Sequence, residues 1–191
     1  MSGKMILVTG GARSGKSTFA EQYATAHGKL IAYIATAQIY DDEMQMRVTL
    51  HRERRPAEWS TYEAPYADEM TIKQAASHAD VVLFDCLTLY TTNLLLAEAT
   101  PKLRKERQSY ILTKIDRLLH AACSSHSTII FVTNEVGLGI VPDNALAREF
   151  RDIAGWVNQK AAALADEVYL VVSGLPIEIK KMAVNLEKEV R

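Results

Sequence analysis

The feature that most constrains the fold of this chain is a glycine-rich stretch near its start, Gly10-Gly11-Ala12-Arg13-Ser14-Gly15-Lys16-Ser17. It fits the pattern G-x-x-x-x-G-K-[ST], in which backbone amides surround phosphate oxygens at the beginning of a helix. An apolar run precedes it and a helical pattern follows it, at 5–9 and 17–27. Because strand, loop and helix follow in the required order, we interpret the stretch as a P-loop rather than an ordinary glycine-rich turn.

Two side chains of this loop have expected roles in nucleotide chemistry. Lys16 is placed to reach the β- and γ-phosphates, and the hydroxyl of Ser17 is a candidate ligand of Mg²⁺. A second candidate ligand is Asp85, which ends the apolar run Val81–Asp85 as the acidic residue of a P-loop enzyme does. An apolar strand also ends in aspartate by chance, so Asp85 is a candidate chiefly because a P-loop precedes it.

Apolar runs alternate with helical patterns along the whole chain. Such alternation is typical of a mainly parallel sheet covered by helices on both faces, so we predict a P-loop NTPase-like α/β fold with one domain at 1–191. Gly28 is the expected left-handed cap of the first helix, Pro101 the first residue of the fifth and Asp143 the N-cap of the last. The predicted strands are 5–9, 30–35, 81–85, 128–133, 167–172 and a sixth candidate at 177–180; the predicted helices are 17–27, 41–52, one after Pro65, 88–98, 101–123 and 143–165.

The composition limits the partners and the cell compartment that we expect for this chain. The formal net charge of −1 argues against a general nucleic-acid or anionic-membrane binder. No apolar stretch approaches the length of a membrane span, and the N-terminal apolar run is too short for a signal peptide. The two cysteines, Cys86 and Cys123, lie far apart, which suits a reducing compartment. We expect a cytoplasmic protein.

Ligands of such sheets bind beyond the carboxyl ends of the strands. Asn134 and Glu135 follow one predicted strand and precede a loop with two glycines, Gly137 and Gly139. Glu135 is either a general base beside a substrate hydroxyl or a cap of the next element, and the pattern leaves both open. Ser173 with Gly174 occupies the same kind of position after another strand.

His51 is the most specific single candidate for a catalytic residue. It lies on one helix face with Met44 and Val48, which alone predicts an ordinary boundary histidine. Arginines surround it, however, and arginine suits phosphate oxygens. A neutral imidazole there is a possible nucleophile toward an α-phosphate, whereas the competing interpretation is a solvated helix end. The neighbouring arginines are Arg47, Arg52, Arg54 and Arg55; Arg148 and Arg151 form a second pair three residues apart on the last helix.

Several of these motifs together resemble one known family. The P-loop, Tyr33-Ile34-Ala35-Thr36-Ala37-Gln38, His51 with Arg55-Pro56, the stretch 133–142 and the stretch 150–159 are similar to the bifunctional adenosylcobinamide kinase/adenosylcobinamide-phosphate guanylyltransferases. The resemblance runs from about Met5 to Ser173. It implies that the enzyme phosphorylates adenosylcobinamide with ATP or GTP. It further implies transfer of GMP from GTP to that phosphate, with release of pyrophosphate, in adenosylcobalamin biosynthesis.

The resemblance also implies a set of site residues. His51 takes the position of the histidine that carries GMP covalently, and Lys16 serves the phosphates. A homotrimer, a corrinoid substrate and Mg²⁺ with Ser17 and Asp85 are implied as well. The implied GTP contacts are Gly10, Gly11, Ala12, Arg13, Ser14, Gly15, Lys16, Ser17, Ile34, Ala35, Thr36, Arg52, Glu53, Arg54, Arg55, Glu63 and Asp85.

The chain departs from the family at two places, and two other functions stay open. Leu50 precedes His51 where some members carry a second histidine, and the predicted loop Arg52-Glu53-Arg54-Arg55 is more basic than is usual in the family. One alternative is a monofunctional small-molecule P-loop kinase in which His51 is structural. Another is a nucleotide-sensing module, although the chain has neither D-x-x-G after the Asp85 strand nor N-K-x-D.

Overall fold

The computed structural model of the protein describes residues 3–184, apart from the side chains of Arg47 and Arg54. Its strands all belong to one sheet, and the order across that sheet is β3-β2-β4-β5-β1-β6-β7. Strands β1 to β6 run parallel to one another. Only β7 is antiparallel, and it pairs with β6 at the edge of the sheet. The strands are β1 (Met5–Gly10), β2 (Ile31–Ala35), β3 (Ser60–Glu63), β4 (Val81–Asp85), β5 (Thr128–Val132), β6 (Glu167–Val172) and β7 (Leu175–Glu178).

Helices cover both faces of this sheet, as predicted. Side chains alternate along each strand, so Leu7 and Phe84 join one apolar layer while Ile6 and Leu83 join the other. The first layer packs against α3 to α6, and the second packs against α1. The helices are α1 (Lys16–His27), α2 (Asp42–Arg54), α3 (Glu69–Ala76), α4 (Leu87–Leu96), α5 (Arg104–Cys123) and α6 (Ala145–Leu164), followed by a 3-10 turn at Lys180–Met182.

The edge strand β3 is absent from the sequence prediction. Its residues Ser60–Glu63 are few and mostly exposed, so they show no apolar pattern, yet they pair in parallel register with β2. This pairing matters for function because it places Glu63 at the carboxyl edge of the sheet, opposite Ala35.

The predicted cap at Gly28 is wrong in its conformation. Gly28 is extended, with φ −137°, and its N–H donates to the carbonyl of Ala24. A Cβ at this position would lie 2.6 Å from Cγ2 of Val81. Glycine is therefore required by the close approach of the chain to β4 and not by a left-handed turn.

Two predicted helix starts are also displaced. The fifth helix begins at Arg104 and not at Pro101, because the carbonyls of Pro101 and Lys102 accept hydrogen bonds from the Arg107 side chain instead of from a helical turn. The N-cap of α6 is Asn144 and not Asp143, since the Asn144 side chain accepts from the Ala147 amide at 2.7 Å.

The helix that carries His51 is longer than predicted. It begins after Asp41, whose carboxylate accepts from the Met44 amide at 2.7 Å, and it continues to Arg54. Arg55 is extended because the residue before a proline, here Pro56, avoids the helical region. The stretch predicted as a loop is thus the last turn of α2 with one residue beyond it.

Parallel strands bring their carboxyl ends to one edge. The strand β5 lies between β1 and β4, so the segments that follow these three strands are neighbours. No helix within residues 3–184 is long and apolar enough to cross a membrane.

Candidate active site

The P-loop joins β1 to α1 through a turn that depends on glycine. Gly15 has φ +95°, a conformation that favours glycine, and a Cβ at Gly10 would lie 2.5 Å from the carbonyl oxygen of Val171. The amide of Gly174 donates to the Ser14 carbonyl at 2.8 Å, so the turn after β6 supports the loop. These contacts bring the predicted residues from Gly10 to Ser17 together at the start of α1, where amides suit phosphate oxygens.

Lys16 is held against the same loop. Its Nζ donates to the carbonyl oxygen of Gly11 at 3.1 Å. Burial lowers the pKa of Lys16, and the nearby groups Cys86 and Asp85 oppose that change. Lys16 begins α1 directly after the P-loop and Asp85 ends β4, so both residues lie at the carboxyl edge of the sheet.

Cys86 follows Asp85 but is not a reactive thiol. Burial raises its pKa to about 12, and its Sγ accepts from the Leu89 amide as the N-cap of α4. Because the thiolate is the nucleophilic form, a thiol of this kind stays neutral and serves the structure.

Asp85 has a dedicated partner on the neighbouring strand. The hydroxyl of Tyr33 donates to Asp85 Oδ2 at 2.9 Å, and Tyr33 is 3% exposed. Burial, followed by the charge of Asp85, raises the pKa of Tyr33 well above its usual value, so the phenol keeps its proton and remains a donor. This hydrogen bond fixes the orientation of the carboxylate.

Tyr33 also connects Asp85 to the helix that carries His51. The guanidinium carbon of Arg55 lies 4.0 Å from the centre of the Tyr33 ring, within the range of a cation–π contact. Arg55 Nε donates to the carbonyl oxygen of His51 at 3.1 Å, and its Nη1 reaches Thr61 Oγ1 at 3.3 Å. A continuous series of contacts therefore runs from Asp85 through Tyr33 and Arg55 to His51.

The His51 side chain is half-buried at the end of α2. Its Nδ1 is enclosed but has no hydrogen-bond partner among residues 3–184. Buried polar atoms usually have a partner, so this unpaired ring nitrogen keeps His51 the candidate nucleophile.

The remaining predicted residues of α2 and β3 meet each other. Arg52 Nη2 forms an ion pair with Glu63 Oε1 at 2.8 Å, and both side chains are about half exposed. Glu53 is exposed, and the side chain of Arg54 lies outside the described residues. Their contact with GTP stays a prediction, and the pair explains why two distant positions of the sequence belong to one surface.

The stretch from Ile34 to Thr36 lies deeper than its predicted role suggests. Ile34 and Thr36 are fully buried, and Ile34 belongs to the apolar layer beneath the sheet. Thr36 Oγ1 accepts from the Cys86 amide at 2.8 Å, and its carbonyl accepts from the Asn93 side chain at 2.7 Å. These residues, with Ala35 between them, form the floor of the carboxyl edge, and any contact with a nucleotide stays a prediction.

Two oxygen donors that were predicted for Mg²⁺, the Ser17 hydroxyl and the Asp85 carboxylate, lie at the carboxyl edge of the sheet. No group of three or more histidine, cysteine or acidic side chains within residues 3–184 forms a metal cage. Mg²⁺ in nucleotide enzymes is held by one or two protein oxygens together with phosphates and water, so Ser17 and Asp85 are a fitting donor set.

Comparison with known proteins identifies the family. Residues 6–179 match the family described as cobinamide kinase / cobinamide phosphate guanyltransferase. The chain belongs to this family. The resemblance inferred from the motifs is thereby confirmed.

Curated relatives of the same family are similar over almost their whole length. The bifunctional adenosylcobalamin biosynthesis protein CobU of Salmonella typhimurium is 48% identical over 185 residues, which cover 92% of this chain and 99% of the relative. The protein of the same name from Escherichia coli is 47% identical, with 92% and 99% coverage. The bifunctional adenosylcobalamin biosynthesis protein CobP of Pseudomonas aeruginosa is 44% identical, with 91% and 96% coverage.

Solved structures support the fold. An ATPase from a bacterial type III secretion system superposes with a TM-score of 0.60 at 14% identity, over 97% of this chain and 60% of that one. The ATP synthase subunit NeqB of Nanoarchaeum equitans superposes with a TM-score of 0.54 at 14% identity. The superposition covers 98% of this chain and 54% of that one. At such low identity these similarities show the fold alone, and they confirm the P-loop NTPase-like architecture.

Sequence reasoning missed the part played by Tyr33. The family motif contains it, but a tyrosine inside an apolar strand predicts only a buried core residue. The available signal was register: Tyr33 and Asp85 lie on neighbouring strands and on the same face, since Tyr33 pairs with Leu83 two residues before Asp85.

Proposed function

We propose that this protein carries out two successive reactions of adenosylcobalamin biosynthesis within one domain. It phosphorylates the aminopropanol hydroxyl of adenosylcobinamide with ATP or GTP, and it then transfers GMP from GTP to adenosylcobinamide phosphate. The products of the second reaction are adenosylcobinamide-GDP and pyrophosphate. Membership of the cobinamide kinase / cobinamide phosphate guanyltransferase family is the observation that carries this proposal.

The P-loop serves the phosphates of the nucleotide. Its amides and the Lys16 ammonium bind the phosphate oxygens, and the positive charge of Lys16 compensates the charge that develops on them during transfer. Ser17 and Asp85 would hold Mg²⁺, which would supply further charge compensation. Phosphoryl transfer to an alcohol requires no protein nucleophile, so the first reaction needs orientation and charge rather than a covalent intermediate.

The second reaction uses His51. The free electron pair of its imidazole attacks the α-phosphorus of GTP, the bond to the β-phosphate oxygen breaks, and pyrophosphate leaves. The GMP held on His51 then passes to the phosphate of adenosylcobinamide phosphate. Arg55 holds the backbone of His51, and Arg52 with Glu63 lies on the same surface, where guanidinium groups suit phosphate oxygens.

The cell compartment and the assembly state are finer parts of the proposal. Cys86 and Cys123 are both free thiols, which supports a reducing compartment such as the cytoplasm. A homotrimer follows from the family resemblance, and light scattering of the purified protein measures it directly.

The test uses GTP labelled at the α-phosphate. We expect the wild-type protein to acquire a label that is lost in acid and stable in base, as a phosphoramidate is. The variant His51→Ala should take up no label and make no adenosylcobinamide-GDP, yet still make adenosylcobinamide phosphate. His78→Ala is the matched control, because His78 is exposed and precedes β4, at the opposite edge of the sheet.

Other outcomes decide between the alternatives. Phosphorylated product without label or GDP derivative from the wild-type protein would favour a monofunctional kinase. Normal labelling of His51→Ala would place the nucleophile elsewhere. No product from purified protein, GTP and adenosylcobinamide would favour a nucleotide-sensing module.

A further inference from the structure

The segment that follows β5, which contains Asn134 and Glu135, runs directly beside the P-loop. The amide of Thr133 donates to the Val8 carbonyl at 2.9 Å, and the amide of Glu135 donates to the Gly10 carbonyl at 3.0 Å. The chain therefore continues along β1 past the end of the strand. Glu135 is in this way placed next to the first residue of the phosphate-binding loop.

Side chains from two helices fix the backbone of this segment. Thr88 Oγ1 in α4 accepts from the Asn134 amide at 2.7 Å. Asn158 in α6 accepts from the Thr133 hydroxyl at 2.7 Å and donates to the Asn134 carbonyl at 3.1 Å. Groups that are locked by buried hydrogen bonds hold a precise geometry, as a catalytic position requires.

Two polar atoms around this segment are enclosed but have no partner within residues 3–184. One is the side-chain oxygen Oδ1 of Asn134, and the other is Nη1 of Arg151. The second guanidinium nitrogen of Arg151 donates to the Gly137 carbonyl at 2.6 Å, so Arg151 belongs to the same turn. Buried polar atoms are usually paired, so two unpaired ones at one turn suit a site for a polar molecule.

The carboxylate of Glu135 belongs to the same turn, whose backbone pairs with the first residue of the P-loop. Its Oε1 accepts only a long hydrogen bond of 3.3 Å from the Gly137 amide, and the side chain is half-buried. The three apolar residues Leu138, Ile140 and Val141, which follow it closely, are exposed by 88%, 95% and 64%. An acid beside exposed apolar side chains suits an alcohol attached to a large and partly apolar molecule.

We propose that the segment from Asn134 to Gly137, with Arg151, binds the alcohol that is phosphorylated in the first reaction, and that Glu135 is its general base. The proposal rests on the proposed function. The alcohol oxygen forms a bond to the γ-phosphorus of the nucleotide, the bond from that phosphorus to the β-phosphate oxygen breaks, and the nucleoside diphosphate leaves with the electron pair. The hydroxyl proton passes to the Glu135 carboxylate. Asn134 and Arg151 position the substrate.

The test separates the two reactions. Glu135→Gln keeps the size of the side chain and an oxygen for the Gly137 amide but cannot accept the proton. We expect its kcat for phosphorylation of adenosylcobinamide to fall by about 10²- to 10⁴-fold, the usual contribution of a general base. Labelling of His51 by GTP, and guanylyl transfer to supplied adenosylcobinamide phosphate, should stay at wild-type levels.

Glu98→Gln is the matched control. Glu98 is an exposed carboxylate beyond the C-terminus of α4, away from the carboxyl edge of the sheet, and its loss should change neither reaction. If Glu135→Gln does not fold, Glu135→Asp replaces it, because that variant keeps the charge but withdraws it by one methylene. It should lower the kinase kcat and leave the KM for GTP and the labelling unchanged.

Two results would overturn the proposal. One is a kinase kcat that stays at the wild-type value in the folded Glu135 variant. The other is an equal loss of both reactions, which would make Glu135 a shared structural residue. An inactive wild-type protein would instead contradict the proposed function, so the two failures are distinguishable.

Discussion

The hydroxyl of Tyr33 offers a sharp test of how the site is organised. In the variant Tyr33→Phe the ring remains beneath Arg55, but the 2.9 Å hydrogen bond to Asp85 Oδ2 is lost. If Asp85 holds Mg²⁺, Tyr33 is the group that orients a metal-binding carboxylate. We therefore expect the metal requirement to change while the contacts near His51 persist.

The size of the effect follows from the position of this bond. Removing a group that orients a metal ligand typically weakens metal binding by about 10- to 100-fold. That factor corresponds to about 1.4 to 2.8 kcal/mol. Tyr33 is almost completely buried, and a hydrogen bond to a charged group contributes about 1.5 to 3 kcal/mol, so the free energy of unfolding should fall by a similar amount.

Two measurements check this prediction. Kinase and guanylyltransferase rates are followed as Mg²⁺ is varied, and both should shift to higher metal concentration and recover when the metal is saturating. Binding of Mn²⁺ in the presence of GTP, measured by electron paramagnetic resonance, reports the affinity without turnover. Binding of Mn²⁺ to Tyr33→Phe should be weaker than to the wild-type protein by about 10- to 100-fold.

The matched control is Tyr169→Phe. Tyr169 also donates to a carboxylate at 2.9 Å, here Glu167 Oε2, but Glu167 starts β6 and lies at the amino edge of the sheet. This variant should lose stability without any change in metal requirement. An unchanged metal requirement in Tyr33→Phe would refute the reasoning, as would an equal shift in Tyr169→Phe.

Two further predictions concern charge. Lys16→Ala should lower the kinase rate by at least about 10²-fold, because one electrostatic stabiliser of the transition state is removed, and urea unfolding should show an unchanged stability. Arg107→Ala should destabilise the protein by about 3 kcal/mol, since the Glu149 carboxylate is 6% exposed and would lose its pair at 2.6 Å. Urea unfolding measures this loss, and replacement of both residues by apolar ones should restore much of the stability; no loss in Arg107→Ala would show that the pair is solvated.

Sequence reasoning was most successful where local chemistry decides the structure. The P-loop requires glycine at Gly15, and the strand of Asp85 is apolar throughout, so both are predictable from composition and spacing alone. It was wrong about the two helix starts at Pro101 and Asp143, where local hydrogen bonds of Arg107 and Asn144 compete with the expected caps. It was also wrong at Gly28, where a distant segment determines the conformation. The need for glycine at position 28 comes from Val81, and no local pattern contains that information.

The connection between the two proposed reaction centres also depends on contacts between residues that are far apart in the sequence. His51 and Asp85 belong to separate patterns of the sequence. The side chain that connects them is Tyr33, which contacts both Asp85 and Arg55 but in its own stretch indicates only a buried core residue. The guanidinium of Arg55 stacks on the Tyr33 ring and also holds the His51 carbonyl, so Asp85 and the end of α2 are connected by direct contacts. In the proposed function, the carboxylate assigned to Mg²⁺ and the helix that carries the proposed nucleophile therefore both rest on one buried side chain.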